Sequence, residues 1–359
     1  MVAMLASLML AGCGSDSNVD GAALTSGTLS ARVDCGGKNA LTAEGSTAQQ
    51  NAMALFNQAW LRLCPGKSVS YNPTGSGAGR EQFLAGHVDF AGADTPLATP
   101  QIELAVKRCR GNPAWHLPLV FGPIALAYHL DGVSPLVVNG AMLAKIFSGA
   151  ITRWNDPAIA ALNRGVALPA TRITVIYRAD SSGTTDNFQQ YLTAAAPQSW
   201  AEGVGTEFQG GVGEGAQKSA GVVQAVRSTP GAIGYVEKGF ADQAGVPYAR
   251  IDSGSGPVAL TDTTAREAID HAMVAGQGND LVLDLNSMYG TNEPGVYPLV
   301  LATYEIVCSK GYDRGTSAGI RSFLTVAATN GQSGLSLAGY VPLPDRLKGR
   351  LVTAISAIQ

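Results

Sequence analysis

Residues 178–192 read RADSSGTTDNFQQYL: an Arg, an Asp and a run of hydroxyl residues stand directly before an amphipathic helical pattern. The stretch follows RITVIY, a β-branched and aromatic run typical of a buried strand. A serine at such a junction is a nucleophile if a base reaches it. The same hydroxyls, with the unpaired N–H groups and dipole of a helix start, can instead hold an anion unaltered. Two further junctions repeat the chemistry. Gly45-Ser46-Thr47 follows the strand pattern NALTA (39–43), and Gly75-Ser76-Gly77 follows SVSYN (68–72). Glycine lets the backbone approach a ligand closely. One such junction reads as an ordinary Ser/Thr helix cap; three, converging on one cleft, point to an anion. Arg178, at a strand end, can span two oxygens of a tetrahedral anion, and Asp180 is placed to orient it.

Signals for catalysis are weak. No lysine has a serine three residues before it, and Ser76 lacks a GxSxG elbow because Thr74 and Ala78 hold the outer positions. GGVGEGAQKSA fails as a phosphate loop, since Gln217 stands where Gly must precede Lys218; it reads as a surface loop leading into a helix. The histidines at 87, 116, 129 and 271 are scattered and no CxxC occurs, so neither a metal site nor a cofactor is expected.

A net charge of −3 with no block of Lys and Arg gives no footprint for nucleic acid. An anion must therefore be held by local groups. The opening MVAMLASLMLAGC is too short to span a bilayer and ends in Leu-Ala-Gly-Cys, which resembles a lipoprotein lipobox with Cys13 as the acylated residue. On this reading 1–13 is a signal segment and the polar, Gly/Ser-rich 14–35 a tether. The basic residues that usually precede the apolar run are missing. Cys35, Cys64, Cys109 and Cys308 remain, an even number that suggests two disulfides with three possible connectivities. A helix end returns near the start of its preceding strand in a βαβ unit, which makes Cys35–Cys64 the natural pair and leaves Cys109–Cys308.

Strand and helix signals alternate through the 359 residues. A helix is predicted near 48–63, another from about Gly77 to Ala85, a strand at 88–93, and a helix opened by Thr99 as cap with Pro100 at its first position. Further helices are expected at NGAMLAKIF and near 184–195, 219–228 and 263–275. Two long apolar runs, HLPLVFGPIALAYHL (116–130) and YPLVLATYEIVC (297–308), read as strands crossing between domains. They divide the chain into one α/β domain of 36–122 with 300–359 and a second of 123–299, with the ligand cleft between them at the carboxyl ends of the strands. Trp154 is expected to pack under a turn, and Glu305 to be hydrogen-bonded at the hinge.

LTAEGSTAQQNA, NPTGSGAGREQF, VDFAGADTPL, ITRWNDPAIAALN, YRADSSGTTDNFQQYL and TPGAIGYVE, in this order, resemble the motifs of the phosphate-binding proteins of bacterial phosphate-specific ABC transporters. The lipobox and extra cysteines resemble their actinobacterial lipoprotein branch. The resemblance implies a bilobal periplasmic-binding-protein fold of the Venus-flytrap type and a phosphate site at Thr47, Ala48 (through its N–H), Ser76, Asp94, Arg178, Ser182, Gly183 and Thr184. Ala48 stands where the family often has Phe. It further implies a lipid-anchored, extracytoplasmic, monomeric receptor that is not an enzyme and delivers inorganic phosphate to permease subunits. A phosphate sensor or adhesin, and a phosphate-handling hydrolase, are the alternatives. Asp94 would reject sulfate, which has no proton to donate to a carboxylate, whereas arsenate, protonated like phosphate, passes the same test.

Overall fold

The computed structural model describes residues 33–359. Cys13 and most of the tether lie outside this range. The chain runs β1 (Ala40–Gly45), α1 (Gln50–Leu63), β2 (Ser68–Pro73), α2 (Ser76–Ala85), β3 (Phe90–Ala93), α3 (Thr99–Arg108) and the fifteen-residue β4 (Ala114–Tyr128). It continues through β5 (Val137–Val138), α4 (Gly140–Phe147), α5 (Pro157–Leu162), β6 (Thr174–Arg178), α6 (Gly183–Ala195), β7 (Glu214–Ala216), α7 (Lys218–Ser228) and β8 (Ala232–Glu237). Short strands β9 (Arg250–Asp252), β10 (Pro257–Val258), β11 (Met273–Val274) and β12 (Leu283–Asp284) precede β13 (Val300–Cys308) and two C-terminal helices, Arg314–Ala328 and Asp345–Ser356.

Eight strands form one sheet in the order β2-β1-β3-β13-β4-β8-β6-β7. The fold is bilobal α/β. On one side β2, β1 and β3 run parallel; on the other β8, β6 and β7 do. The antiparallel β13 and β4 join them. β4 serves both sides: Ala114–Pro123 pairs with β13, and Ile124–Tyr128 pairs with β8. Both long apolar runs are therefore strands that link the two halves. Pro118 in β4 cannot donate to the ladder. The β13 register shifts between Thr303 and Tyr304 at this point, opposite Val120 and Pro118, and leaves Leu119 as the extra residue of a bulge.

Aromatic packing sets the helices against the sheet. Phe323 stacks on Phe90 and meets Trp60 edge-on, their centroids 5.7 and 5.4 Å apart. In the other half Phe188 of α6 stacks on Tyr235 of β8 at 4.5 Å, which fixes α6 over the strand whose end it must face. Trp154 is fully buried and its indole N–H donates to the Gly231 carbonyl at 2.9 Å, the packing role expected of it.

Several elements depart from the sequence reading. Ala98, not Thr99, caps α3, because the Gln101 side chain reaches back to accept from the Ala98 N–H at 3.1 Å; Thr99 and Pro100 become the first two helical residues. The helix expected at 263–275 ends at His271, and Met273–Val274 pairs with Leu283–Asp284 instead. The Gly-rich segment at 210–220 is not only a loop: Glu214–Ala216 adds an edge strand to β6. Glu305 has no hydrogen-bond partner for either oxygen.

Both disulfides form as paired above, Cys35–Cys64 and Cys109–Cys308, with Cα separations of 5.4 and 5.3 Å. They close loops of very different length, 29 and 199 residues. Removing the long-range bridge should therefore cost more, by roughly 1.5–2 kcal/mol on chain-entropy grounds. Urea unfolding of the Cys35→Ala/Cys64→Ala and Cys109→Ala/Cys308→Ala variants under oxidising conditions measures this; equal losses would contradict it.

Candidate functional site

All six parallel strands deliver a polar group at their carboxyl ends, and these groups meet. β1 leads into Ser46 and Thr47, β2 into Ser76, and β3 into Asp94. From the other half β6 ends in Arg178 and leads to Ser182–Thr184, β7 leads to Ser219, and β8 ends in Glu237. Thr303 of β13 joins them from the linking strands. Each of these residues is buried.

Asp94 is the centre of the first half. Ser46 Oγ donates to both carboxylate oxygens at 2.6 and 2.8 Å, Thr303 Oγ1 to Oδ1 at 2.6 Å, and Ser76 Oγ to Oδ2 at 3.1 Å. Ser76 Oγ also accepts the Asp94 N–H at 3.1 Å, and Ser46 Oγ accepts the Ala48 N–H at 3.0 Å. Burial pushes the Asp94 carboxyl up to about 6, opposed by the Ser46, Thr303 and Ser76 hydroxyls and reinforced by the nearby Glu237. Hydroxyls do not neutralise a carboxylate; they hold it as a positioned acceptor.

Arg178 is the cation of the second half. Its Nε donates to Asp180 Oδ1 at 2.8 Å, its Nη2 pairs with Oδ2, and its Nη1 reaches Ser219 Oγ at 3.4 Å. Burial favours the neutral guanidine, but the pairing with Asp180 outweighs it and raises the Arg178 pKa. Asp180 also accepts the Lys218 N–H at 2.8 Å. Burial favours its neutral form, but the bonds from Arg178 and Lys218 hold its carboxyl below the usual range. The pair anchors the guanidinium along its Nε–Nη2 edge.

Ser182 caps α6, accepting the Thr185 N–H at 3.2 Å, while Thr184 Oγ1 donates to Glu237 Oε1 at 2.6 Å. Behind them Tyr235 Oη contacts Thr185 Oγ1 at 2.8 Å and accepts the Arg178 N–H at 3.2 Å. The other two junctions are not side-chain caps: α1 starts after Gln49 and α2 after Gly75, neither with a capping side chain. Their hydroxyls bond within the site instead, Ser46 and Ser76 to Asp94 and Thr47 to Ser219.

The two halves touch across it. Thr47 Oγ1 meets Ser219 Oγ at 2.7 Å, Asn187 Nδ2 donates to the Asp94 carbonyl at 2.8 Å, and the Gly77 N–H donates to the Ser181 carbonyl at 3.2 Å. The approach requires glycine at two points. A Cβ on Gly183 would lie 2.5 Å from Ser76 Oγ and 2.6 Å from Asp94 Cβ. Gly75, with φ of 109°, would place one 2.7 Å from the Ser181 carbonyl oxygen.

Every site residue expected from sequence lies in this cluster. Ser46 was named only within its junction, and Asn187, Ser219, Glu237 and Thr303 were not singled out. Ser219 sits in the segment dismissed as a surface loop; a hydroxyl between an edge strand and a helical pattern was its one signal. Glu237 ends the apolar run GAIGYVE, where an acidic residue at a strand end is a visible mark. Thr303 inside an apolar run carried no signal at all.

A PBP superfamily domain matches residues 19–330. Over 353 residues the chain is 50% identical to Phosphate-binding protein PstS3 of Mycobacterium bovis (strain BCG / Pasteur 1173P2), covering 98% of this chain and 95% of that one. It is 49% identical over 352 residues to Phosphate-binding protein PstS 3 of Mycobacterium leprae (strain TN), with the same coverage. In fold it is similar to the solved structure of a high-affinity periplasmic phosphate-binding protein, PfluDING, bound with phosphate. That likeness has a TM-score of 0.70 at 23% identity and covers 88% of this chain and 93% of that one. The chain thus belongs to the PstS family of phosphate-binding proteins within the PBP superfamily.

Proposed function

We propose that this protein binds inorganic phosphate between its two halves and hands it to the permease of an ABC importer, without altering it. One observation carries the reading: hydroxyls from both halves, one anchored guanidinium and a buried carboxylate held by three hydroxyls come together at the carboxyl ends of the six parallel strands. Backbone N–H groups at the start of α6 and beside Ala48 complete a set of donors for a tetrahedral anion. The phosphate-binding set is Thr47, Ala48, Ser76, Asp94, Arg178, Ser182, Gly183 and Thr184, with Asp180 in support and Ser46, Ser219 and Thr303 fixing their orientations. Residues 36–122 with 300–359 form one lobe and 123–299 the other, and β4 and β13 are the hinge. Groups from both lobes grip the same anion, so its binding favours the closed state over the open one.

A hydrolytic role lacks an imidazole or ammonium base. The site hydroxyls pair with carboxylates, the guanidinium and one another, and no imidazole or lysine ammonium reaches them among the described residues. The PstS relatives also carry binding-protein names. Extracytoplasmic placement follows from the family and fits the two disulfides. Cys13 is the residue to carry the lipid anchor; among the described residues no helix is long and apolar enough to cross a membrane.

Calorimetry tests the site directly. Arg178→Ala should weaken phosphate binding by roughly 100-fold or more, since a hydrogen-bonded buried charge contact is worth about 3 kcal/mol and Asp180 is left unpaired. Retention of parental affinity would refute the assignment. Gly183→Ala should weaken binding by roughly tenfold, at the overpacking cost of about 1–3 kcal/mol. Its melting temperature should hardly change; unaltered affinity would mean that the lobes do not meet there.

Asp94 selects for a protonated oxyanion. Asp94→Asn should lose roughly 10- to 100-fold of the preference for phosphate over sulfate, the worth of one charge-assisted hydrogen bond. The parent should show the same trend with pH. Ionised Asp94 accepts the anion's proton, whereas below about 6 it takes its own and ceases to accept. Discrimination should therefore narrow as pH falls through that value, and a flat phosphate-to-sulfate ratio between acid and neutral buffer would remove Asp94 from this role.

A further inference from the structure

Glu305, in the middle of β13, takes no part in the hydrogen-bonding of the site, yet it lies beside it. It is fully buried, and no N–H or O–H is in bonding geometry with either carboxyl oxygen. The strand pleat puts it on the same face as Thr303, whose hydroxyl holds Asp94. Across the ladder it pairs with Gly92, and the Gln49 amide fills the space a side chain at Gly92 would need: a Cβ there would come 2.0 Å from Gln49 Nε2 and 2.8 Å from Tyr71 Oη. Gln49 Nε2 donates to Tyr71 Oη at 3.2 Å, and Tyr71 Oη donates to the Ser46 carbonyl at 2.7 Å. The line from Gln49, beside Glu305, thus ends on the loop that carries Ser46, Thr47 and Ala48.

The groups that face Glu305 are Gln49 of the α1 start, Tyr71 of β2 and Asp94 after β3; no Lys, Arg or His is among them. The site already holds Asp94, Asp180 and Glu237, against Arg178 within it and Arg80 near Asp94. A further buried negative charge here would be unpaired, next to Asp94 and close to any bound anion.

We propose that Glu305 is the neutral acid of the anion site: it keeps its proton while phosphate is bound, and its ionisation in alkaline solution drives the anion out. The inference rests on the phosphate reading above and adds a pH limit to it. Burial pushes this carboxyl up to about 8, relieved in part by the Gln49 amide, which lies near it without reaching bonding geometry, and raised further by Asp94, so the proton is held at neutral pH and lost above it.

Calorimetric titration of the full chain with inorganic phosphate, from about pH 6.5 to about pH 9, tests this with Glu305→Gln beside the parent. Ionisation of phosphate itself is common to both proteins and cancels in the ratio of their affinities, and Asp94 titrates below the window. That ratio should be near one at about pH 6.5, and Glu305→Gln should bind about tenfold more tightly than the parent at about pH 9, the linkage expected one pH unit above the titration. A purely structural role would scale affinity equally at every pH, so a pH-independent ratio overturns the proposal. Glu305→Leu, which also cannot ionise, carries the same comparison if the Gln variant does not fold. A parent chain without phosphate affinity at any pH would overturn the reading of the site, whereas a binding parent with a constant ratio overturns only the role of Glu305.

Discussion

Asp94 is a carboxylate removed from water with no cation in contact, and much of this structure is arranged around that fact. Isolating a charge in this way is costly unless its lone pairs are filled. Here Ser46, Ser76 and Thr303 bring three hydroxyl protons from three separate segments to its roughly four lone-pair sites, and Asn187 of the opposite half holds the Asp94 carbonyl. Hydrogen bonds of this kind leave the charge in place while fixing its direction. The consequence for an oxyanion is asymmetric. An oxygen that brings its own proton finds an acceptor waiting, and one that does not meets a negative charge in a medium that screens poorly.

Attraction must come from elsewhere, and on the proposed reading Arg178 with the strand-end N–H groups supplies it. Asp180 takes two of the guanidinium's donors, and the Lys218 N–H steadies Asp180 in turn. This fixes the direction of Arg178 at the expense of part of its net charge. With the whole chain at −3, neither long-range attraction nor a basic surface assists. On the same reading, recognition depends on groups positioned within hydrogen-bonding distance, which would make it selective for shape and proton count more than for charge.

The sheet explains how so many short side chains reach one place. Strand ends are where backbone groups run out of partners, and six parallel strands end on the same edge, three from each half. β4 and β13 carry the sheet from one half to the other, so a single pair of strands sets the spacing between the two sets of ends. Glycines at 75 and 183 let those ends close to contact.

The alternating strand and helix patterns, the two long apolar runs and the hydroxyl-bearing junctions were legible in the chain itself, because period, β-branching and Gly/Ser chemistry are local properties. They were enough to place the long linking strands, both disulfide pairs and the three hydroxyl-bearing junctions, whereas Asp94 and Ala48 were expected only from the family resemblance. The sequence also marked Asp180 as the partner of Arg178, since two residues along a strand end is a short reach. What it did not hold was the pairing of groups distant along the chain. Thr303 stands 209 residues from Asp94, and Ser219 stands 172 from Thr47; only the register of β13 against β3 and the edge placement of β7 bring them together. The unpartnered state of Glu305 was likewise undetermined, and was expected otherwise, because whether a buried carboxyl finds a donor depends on every neighbour that the tertiary fold puts around it.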